Sequence, residues 1–309
     1  MHITKIVVGI MALIGITIIA CSNIEKSTVT TIPTKTATSI TKKPAKQLSE
    51  AFKKYWYAGN AEITSYELQQ ARYGEIRSGS AALIYVTEDF LPKIQVKADQ
   101  QAANNVPVLK LNSTKKFLTG IYPYSIMQST FYPVADNQHA IKVSSSMQEW
   151  CGHVYAQLNN RDKFDIMSHS YFEGEADQEL QLDKTILENE LWTRIRINPT
   201  DLPTGNFTSI PAFEYLRLKH TPIKAYEATA SLSSSEGTTS YEIAYPALKR
   251  SLKINFSTAF PHEILGWEET FSSFGKELTT KATRKKTIKS AYWGKNSNKD
   301  LELREQLGL

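Results

Sequence analysis

The 309-residue chain holds two cysteines, Cys21 and Cys151, too few for the disulfide framework that staples small secreted domains. It contains no Gly-x-Ser-x-Gly, no phosphate-binding loop and no dinucleotide fingerprint. Their absence removes the usual signatures of serine hydrolases, P-loop enzymes and nucleotide-cofactor enzymes, so no cofactor is expected. Charge of one sign is scarce as well. Lys and Arg number 36 against 31 Asp and Glu, a balance of +5, too mild to argue for nucleic-acid binding. The conspicuous apolar run, Ile6 to Ala20, is fifteen residues long, short of the roughly 20 a membrane-spanning helix needs.

That run follows a short basic start, Met1 to Lys5, and ends in Ile18-Ile19-Ala20-Cys21. Residues 1–20 therefore read as a lipoprotein signal peptide with a lipobox: the apolar run inserts, small Ala20 suits a peptidase, and Cys21 offers a thiol. The similarity to bacterial lipoprotein precursors implies cleavage before Cys21, a diacylglyceryl group on its sulfur and an acylated new amino terminus. Several acyl chains make a stable anchor. Ser22, in place of an inner-membrane retention aspartate, directs the expectation to a Gram-negative outer membrane with the protein facing the periplasm. Residues 21–46 then form a tether in which seven threonines alternate with Pro33, Pro44 and lysines, a composition that buries too little to order itself. With Cys21 lipidated, Cys151 has no partner, and the fold must rest on its core.

Residues 47–309 read as a single mainly β domain, a β-rich α+β chain built as a curved antiparallel sheet or open barrel with one substantial helix. A helical turn or two precedes Gly59. Strands are expected at 73–76, 79–87, 106–111, 116–127, 140–148, 150–158 and 164–172, and, after the helix, at 214–218, 224–232, 240–245, 250–256, 263–271 and 287–293. The helix spans about 185–197, with a Thr185 to Glu188 capping-box pattern, an apolar stripe of Leu187, Leu191, Trp192 and Ile195, and Pro199 as its stop. Ser233 to Gly237 reads as a hairpin loop. Most aromatics belong to the core, and some line an interior able to hold an apolar or lipid-like ligand.

The stretch Gln148 to Tyr155 and its echo Ser168 to Glu175 carry the candidate chemistry. A strand reading puts Trp150, Val154, Ala156 and Leu158 on a core face and Cys151, His153 and Tyr155 opposite. In the next strand Phe164, Ile166 and Phe172 face the core, and His169, Tyr171 and Glu173 face away. If Leu158 faces Phe164, then His153 faces His169 and Cys151 faces Tyr171. That register gathers a metal site from His153, His169 and Cys151 or Glu173, or a Cys151 nucleophile activated by His169. A slip of one residue separates them. Glu173 to Asp177 reads as a solvated acidic turn, and Glu268 and Glu269, adjacent in a strand, point to opposite faces and make no glycosidase pair.

Five strings, Tyr55-Trp56-Tyr57-Ala58-Gly59, Glu67-Leu68, Gln70-Ala71-Arg72-Tyr73-Gly74-Glu75, Gln148-Glu149-Trp150-Cys151-Gly152-His153 and Gly266-Trp267-Glu268-Glu269-Thr270, resemble a family of uncharacterised lipoproteins of Bacteroidota over about residues 50 to 295. Members often carry the label "septum formation inhibitor". The nucleotide pyrophosphatases of that name open with a Ser-x-x-Arg-Arg type motif absent here, so no catalytic residue carries over. The expected role is a lipid-anchored binding, carrier or assembly component of the envelope, with the membrane and an apolar ligand or envelope protein as partners, on an architecture similar to open-barrel lipoprotein carriers. The alternative is an envelope hydrolase or metal-dependent enzyme using Cys151, His153 and His169.

Overall fold

A computed structural model describes residues 47–135 and 138–309. The expected signal peptide, the lipidation site Cys21 and the tether to residue 46 lie outside the described residues. Helix α1 (Glu50–Trp56) begins at Ser49, whose hydroxyl accepts the Phe52 N–H, and buries Phe52 and Trp56. Strands β1 (Ala61–Arg72), β2 (Glu75–Leu91), β3 (Val96–Lys97), β4 (Val106–Thr119), β5 (Tyr122–Pro133), β6 (Lys142–Glu149), β7 (Gly152–Asn160), β8 (Phe164–Ser170) and β9 (Gln178–Leu182) follow. After β10 (Ile186–Leu187) and α2 (Glu188–Ile197) come β11 (Gly205–Ile210), α3 (Phe213–Leu218), β12 (Tyr226–Ser235), β13 (Thr238–Tyr245), β14 (Arg250–Ser257), β15 (Ile264–Ser273), β16 (Lys276–Ser290) and α4 (Leu301–Gln306).

All sixteen strands belong to one sheet, ordered β10-β11-β12-β13-β14-β15-β16-β1-β2-β4-β5-β6-β7-β8-β9, with β3 on β2. Neighbours pair antiparallel except β10 with β11. The sheet is open. Its edge strands β9 and β10 are joined by residues 183–185, a link that reaches at most about 14 Å, so the sheet must curl until its edges approach. The two β halves of the sequence join where β1 pairs with β16.

Period-two sequence makes the inside of this curl. In β14 Arg250, Leu252, Ile254 and Phe256 are buried while the alternate residues are partly exposed. Close strand approach is met by glycine: a Cβ at Gly79 would lie 2.3 Å from the Lys116 carbonyl oxygen, and one at Gly266 the same distance from that of Ala282. The inner face packs on α2 and α3, so Leu191, Ile195, Phe213 and Leu216 share one core with Tyr85, Tyr124, Tyr132 and Tyr241. A smaller cluster of Ala61, Ile63, Val86 and Leu307 joins the C-terminal segment to the sheet's other face.

The mainly β class is as read from the sequence, but several details differ. The helix expected at about 185–197 begins at Glu188, and Ile186 and Leu187 form the strand β10. The capping box is not formed: Leu187 is the N-cap without a side-chain bond, and the Thr185 hydroxyl donates to the Thr208 carbonyl instead. Residues 214–218 are helix, not strand. Bounded by Pro211 and Pro222 and placed inside the curl, this segment satisfies its backbone locally, through Leu216 N–H to Ala212 O and Lys219 N–H to Tyr215 O, where a strand would find no partner. The run 116–127 is two strands around a turn at Gly120-Ile121. Tyr73-Gly74 is likewise a turn, its left-handed φ values of 54° and 76° linking β1 to β2.

Candidate functional site

The β7–β8 hairpin keeps the expected faces but not the expected register. Val154, Ala156 and Leu158 are buried, as are Phe164 and Ile166. Leu158 faces Ile166 and Asn160 faces Phe164, so the loop is the three residues 161–163. The register with Leu158 opposite Phe164 would have needed five. The shift is two residues, which preserves faces but sets His169 opposite Tyr155, while His153 faces Gln148 on β6. The two imidazoles do not meet. Trp150 is no core residue either: it lies in the β6–β7 turn, 68% exposed, beside Tyr122.

Cys151 shares that exposed turn. Glu149, hydrogen-bonded to its thiol, pushes the thiol above its ordinary range and also accepts the Cys151 N–H at 2.7 Å. A nucleophilic cysteine needs the opposite shift. His169 Nδ1 lies 3.2 Å from Asp177, and Glu173 is exposed. Among the described residues no group of three or more His, Cys, Asp or Glu side chains is disposed to hold a metal ion. The acidic turn contributes Glu175 instead, held by His220 Nδ1 at 2.6 Å and the Ser170 hydroxyl at 2.5 Å.

The polar chemistry that sequence reading missed lies inside the curl. The Arg250 guanidinium donates to both Glu188 oxygens at 2.5 and 2.6 Å and through Nε to Glu269 at 2.6 Å, and it sits 4.2 Å from the Tyr215 ring centroid. Burial opposes its charge, but Glu188 and Glu269 outweigh it and hold Arg250 well above its ordinary range. Lys115 donates to Glu214 at 2.7 Å, Gln128 donates to the other Glu214 oxygen, and Asn189 donates to Gln128. Burial pushes the Glu214 carboxyl up. These groups line a cavity of about 40 Å³, enough for a few waters. A separate buried pair joins Arg196 to Glu62 at 2.6 and 2.7 Å. Helices α2 and α3 and these paired charges thus occupy the interior around this cavity.

The visible signal was phase. Lys115 falls in step with Leu111 and Phe117, and Arg250 with Leu252 and Ile254, so each charge occupies an inward position. Glu268 and Glu269 do diverge, Glu268 toward exposed Lys281 and Glu269 toward Arg250.

The larger concavity is on the other side of the sheet. A groove of about 540 Å³ runs between the segment 292–309 and the outer faces of β1, β2, β4 and β16. Ile63, Ile84, Ile288, Leu303 and Leu307 line it, with Lys116, Lys295 and Arg304. Asp300, the one acid among the lining residues, accepts the Ser297 N–H at 3.1 Å.

No family model matches the chain, and no curated protein matches it. Among solved structures, a β-barrel-like protein of a domain of unknown function, DUF1849, from Brucella abortus is similar over 74% of this chain and 97% of that one, at 9% identity and a TM-score of 0.43.

Proposed function

We propose that this protein is a lipid-anchored binding component of a bacterial cell envelope, held through acylated Cys21 and facing the periplasm, and that its ligand is an anionic amphiphile. The observation that carries the reading is the outer groove. Its volume of about 540 Å³ falls in the range of small-molecule sites, its floor is aliphatic, and three cations against one acid suit an anionic headgroup above an acyl chain. The inward-facing cavities, of about 40 and 130 Å³, are smaller. The hydrolase or metal-enzyme alternative has no converging set in the hairpin, where Cys151 lies against Glu149, His169 against Asp177, and His153 opposite Gln148 on β6.

The test uses the full chain carrying Cys21→Ser, which lacks the lipobox thiol, titrated with a fluorescent long-chain fatty acid. Saturable binding is expected, weakened roughly tenfold or more, about 1.4 kcal/mol, by Thr114→Trp, which fills the groove from β4. Absence of binding, or binding indifferent to that substitution, overturns the reading.

A further inference from the structure

Among the described residues four arginines are buried, and their surroundings differ sharply. Arg72 donates to the Leu218 carbonyl and to the Tyr73 and Tyr124 hydroxyls. Arg196 and Arg250 are each matched by carboxylates at hydrogen-bond distance. Arg217 on α3 is not. It is 8% exposed, its closest ion-pair contact is Glu149 Oε1 at 4.0 Å from Nη2, and its Nε and Nη1 have no hydrogen-bond partner among the described residues. Phe172 covers the guanidinium at 4.1 Å from the ring centroid. A buried, under-partnered cation is costly, and such a group calls for a physical explanation.

The explanation lies in the space beside it. Arg217 lines a cavity of about 130 Å³ at the β7–β8 end of the curl, with Val154, Ala156, Leu216 and Ile223 as apolar wall. That volume is close to the ~150 Å³ apolar cavity that admits benzene. Glu175 also borders it, but its two oxygens are taken by His220 and Ser170, so it does not neutralise Arg217 by a direct hydrogen bond. We infer that this cavity is a binding site for a small organic monocarboxylate: the carboxylate meets the unpartnered Arg217 nitrogens and a short apolar or aromatic body fills the space against Val154, Ala156 and Ile223. The apolar wall finds no matching surface on inorganic phosphate, and this selects an organic carboxylate over it. This site is separate from the groove under α4 and does not depend on the amphiphile reading.

The probe is benzoate, with inorganic phosphate as comparator, followed by thermal unfolding and by titration calorimetry on the full chain carrying Cys21→Ser. At a hundredfold excess over its Kd, benzoate raises Tm by about 5 °C, and phosphate at the same concentration does not. Arg217→Met weakens benzoate binding about tenfold or more, and Ile223→Trp, which keeps Arg217 and occupies the cavity, does the same. Thr114→Trp leaves benzoate binding intact, so loss of the fatty-acid site and loss of this one are told apart. An unmoved Tm with benzoate, equal binding by a folded Arg217→Met protein, or an equal response to phosphate overturns the assignment.

Discussion

Replacing Arg250 by methionine removes a cation that three nitrogens tie to two carboxylates, in a site where Arg250, Glu188 and Glu269 are 4%, 1% and 8% exposed. Methionine retains much of the stem's packing, so the loss is chiefly electrostatic. It strands Glu188 and Glu269 together, beside Glu214, with Lys115 as the remaining cation lining the cavity. Breaking a buried pair from one side costs about 3–5 kcal/mol, and at about 2–4 °C per kcal/mol for a domain approaching this size Tm falls by about 10 °C. Adding Glu188→Leu recovers only part, because Glu269 stays uncompensated; adding Glu269→Leu as well brings stability back to within about 2 kcal/mol, since apolar replacement of a whole buried ionic set is often neutral. The single variant also acquires a pH signature. Stranded buried carboxylates have folded-state pKa values above their unfolded ones, so stability is fully present below the unfolded value and lost as pH rises through the folded one. The deficit is therefore smaller near about pH 5 than near about pH 8. Urea unfolding followed by tryptophan fluorescence, reported by Trp192 and Trp267 in the cavity wall, measures it. A single variant within about 1 kcal/mol of the parent, well inside the cost of a broken buried pair, or a triple variant no better than the single, refutes the reasoning.

Two further outcomes follow from the same electrostatics. Burial works to raise the Glu62 carboxyl, but Arg196 outweighs it, with help from Tyr55, and holds it below the ordinary value of 4.5. Its stabilisation is thus present above that value and lost as pH falls through the lower folded pKa; Glu62→Gln flattens the acid limb of Tm against pH, and an unchanged limb contradicts this. Exposed Cys151 reacts with iodoacetamide at neutral pH more slowly than an unstructured cysteine, and Glu149→Gln speeds it, because the glutamate that raises the thiol pKa is gone; equal rates in both proteins count against the assignment.

Side-chain faces were legible in the sequence because they depend only on period-two alternation. Val154, Ala156 and Leu158 turn inward as read. Register was not, because it is set by hairpin loop length, and nothing in the stretch around Arg161-Asp162-Lys163 distinguishes a loop of three from one of five; both preserve the faces. The histidine pairing hung on that choice. Glu188 shows a second limit. Three residues after a threonine it spells a capping box, yet the structure spends it on Arg250, which lies 62 residues away along the chain, a contact no local pattern reports. The α3 segment shows a third, since the six helical residues within the stretch bounded by Pro211 and Pro222 take their secondary structure from where the sheet's curvature puts them. What was readable for the interior was a charge in phase with apolar neighbours, at Lys115 and Arg250.

The pairing of β1 with β16 has a consequence for how the chain reaches this state. Ala61 lies against Ser290 and Gln69 against Lys281, contacts more than 200 residues apart in sequence, and the inward face of β1 carries Tyr66 and Leu68. During synthesis β1 pairs with β2 first but keeps its other edge bare until the last strand has emerged. Such a topology folds slowly and leaves an adhesive edge in the meantime. The final fifteen-residue strand, β16, therefore acts as the clasp of the molecule, and the interval before its arrival is when the protein is most exposed to aggregation and most in need of escort.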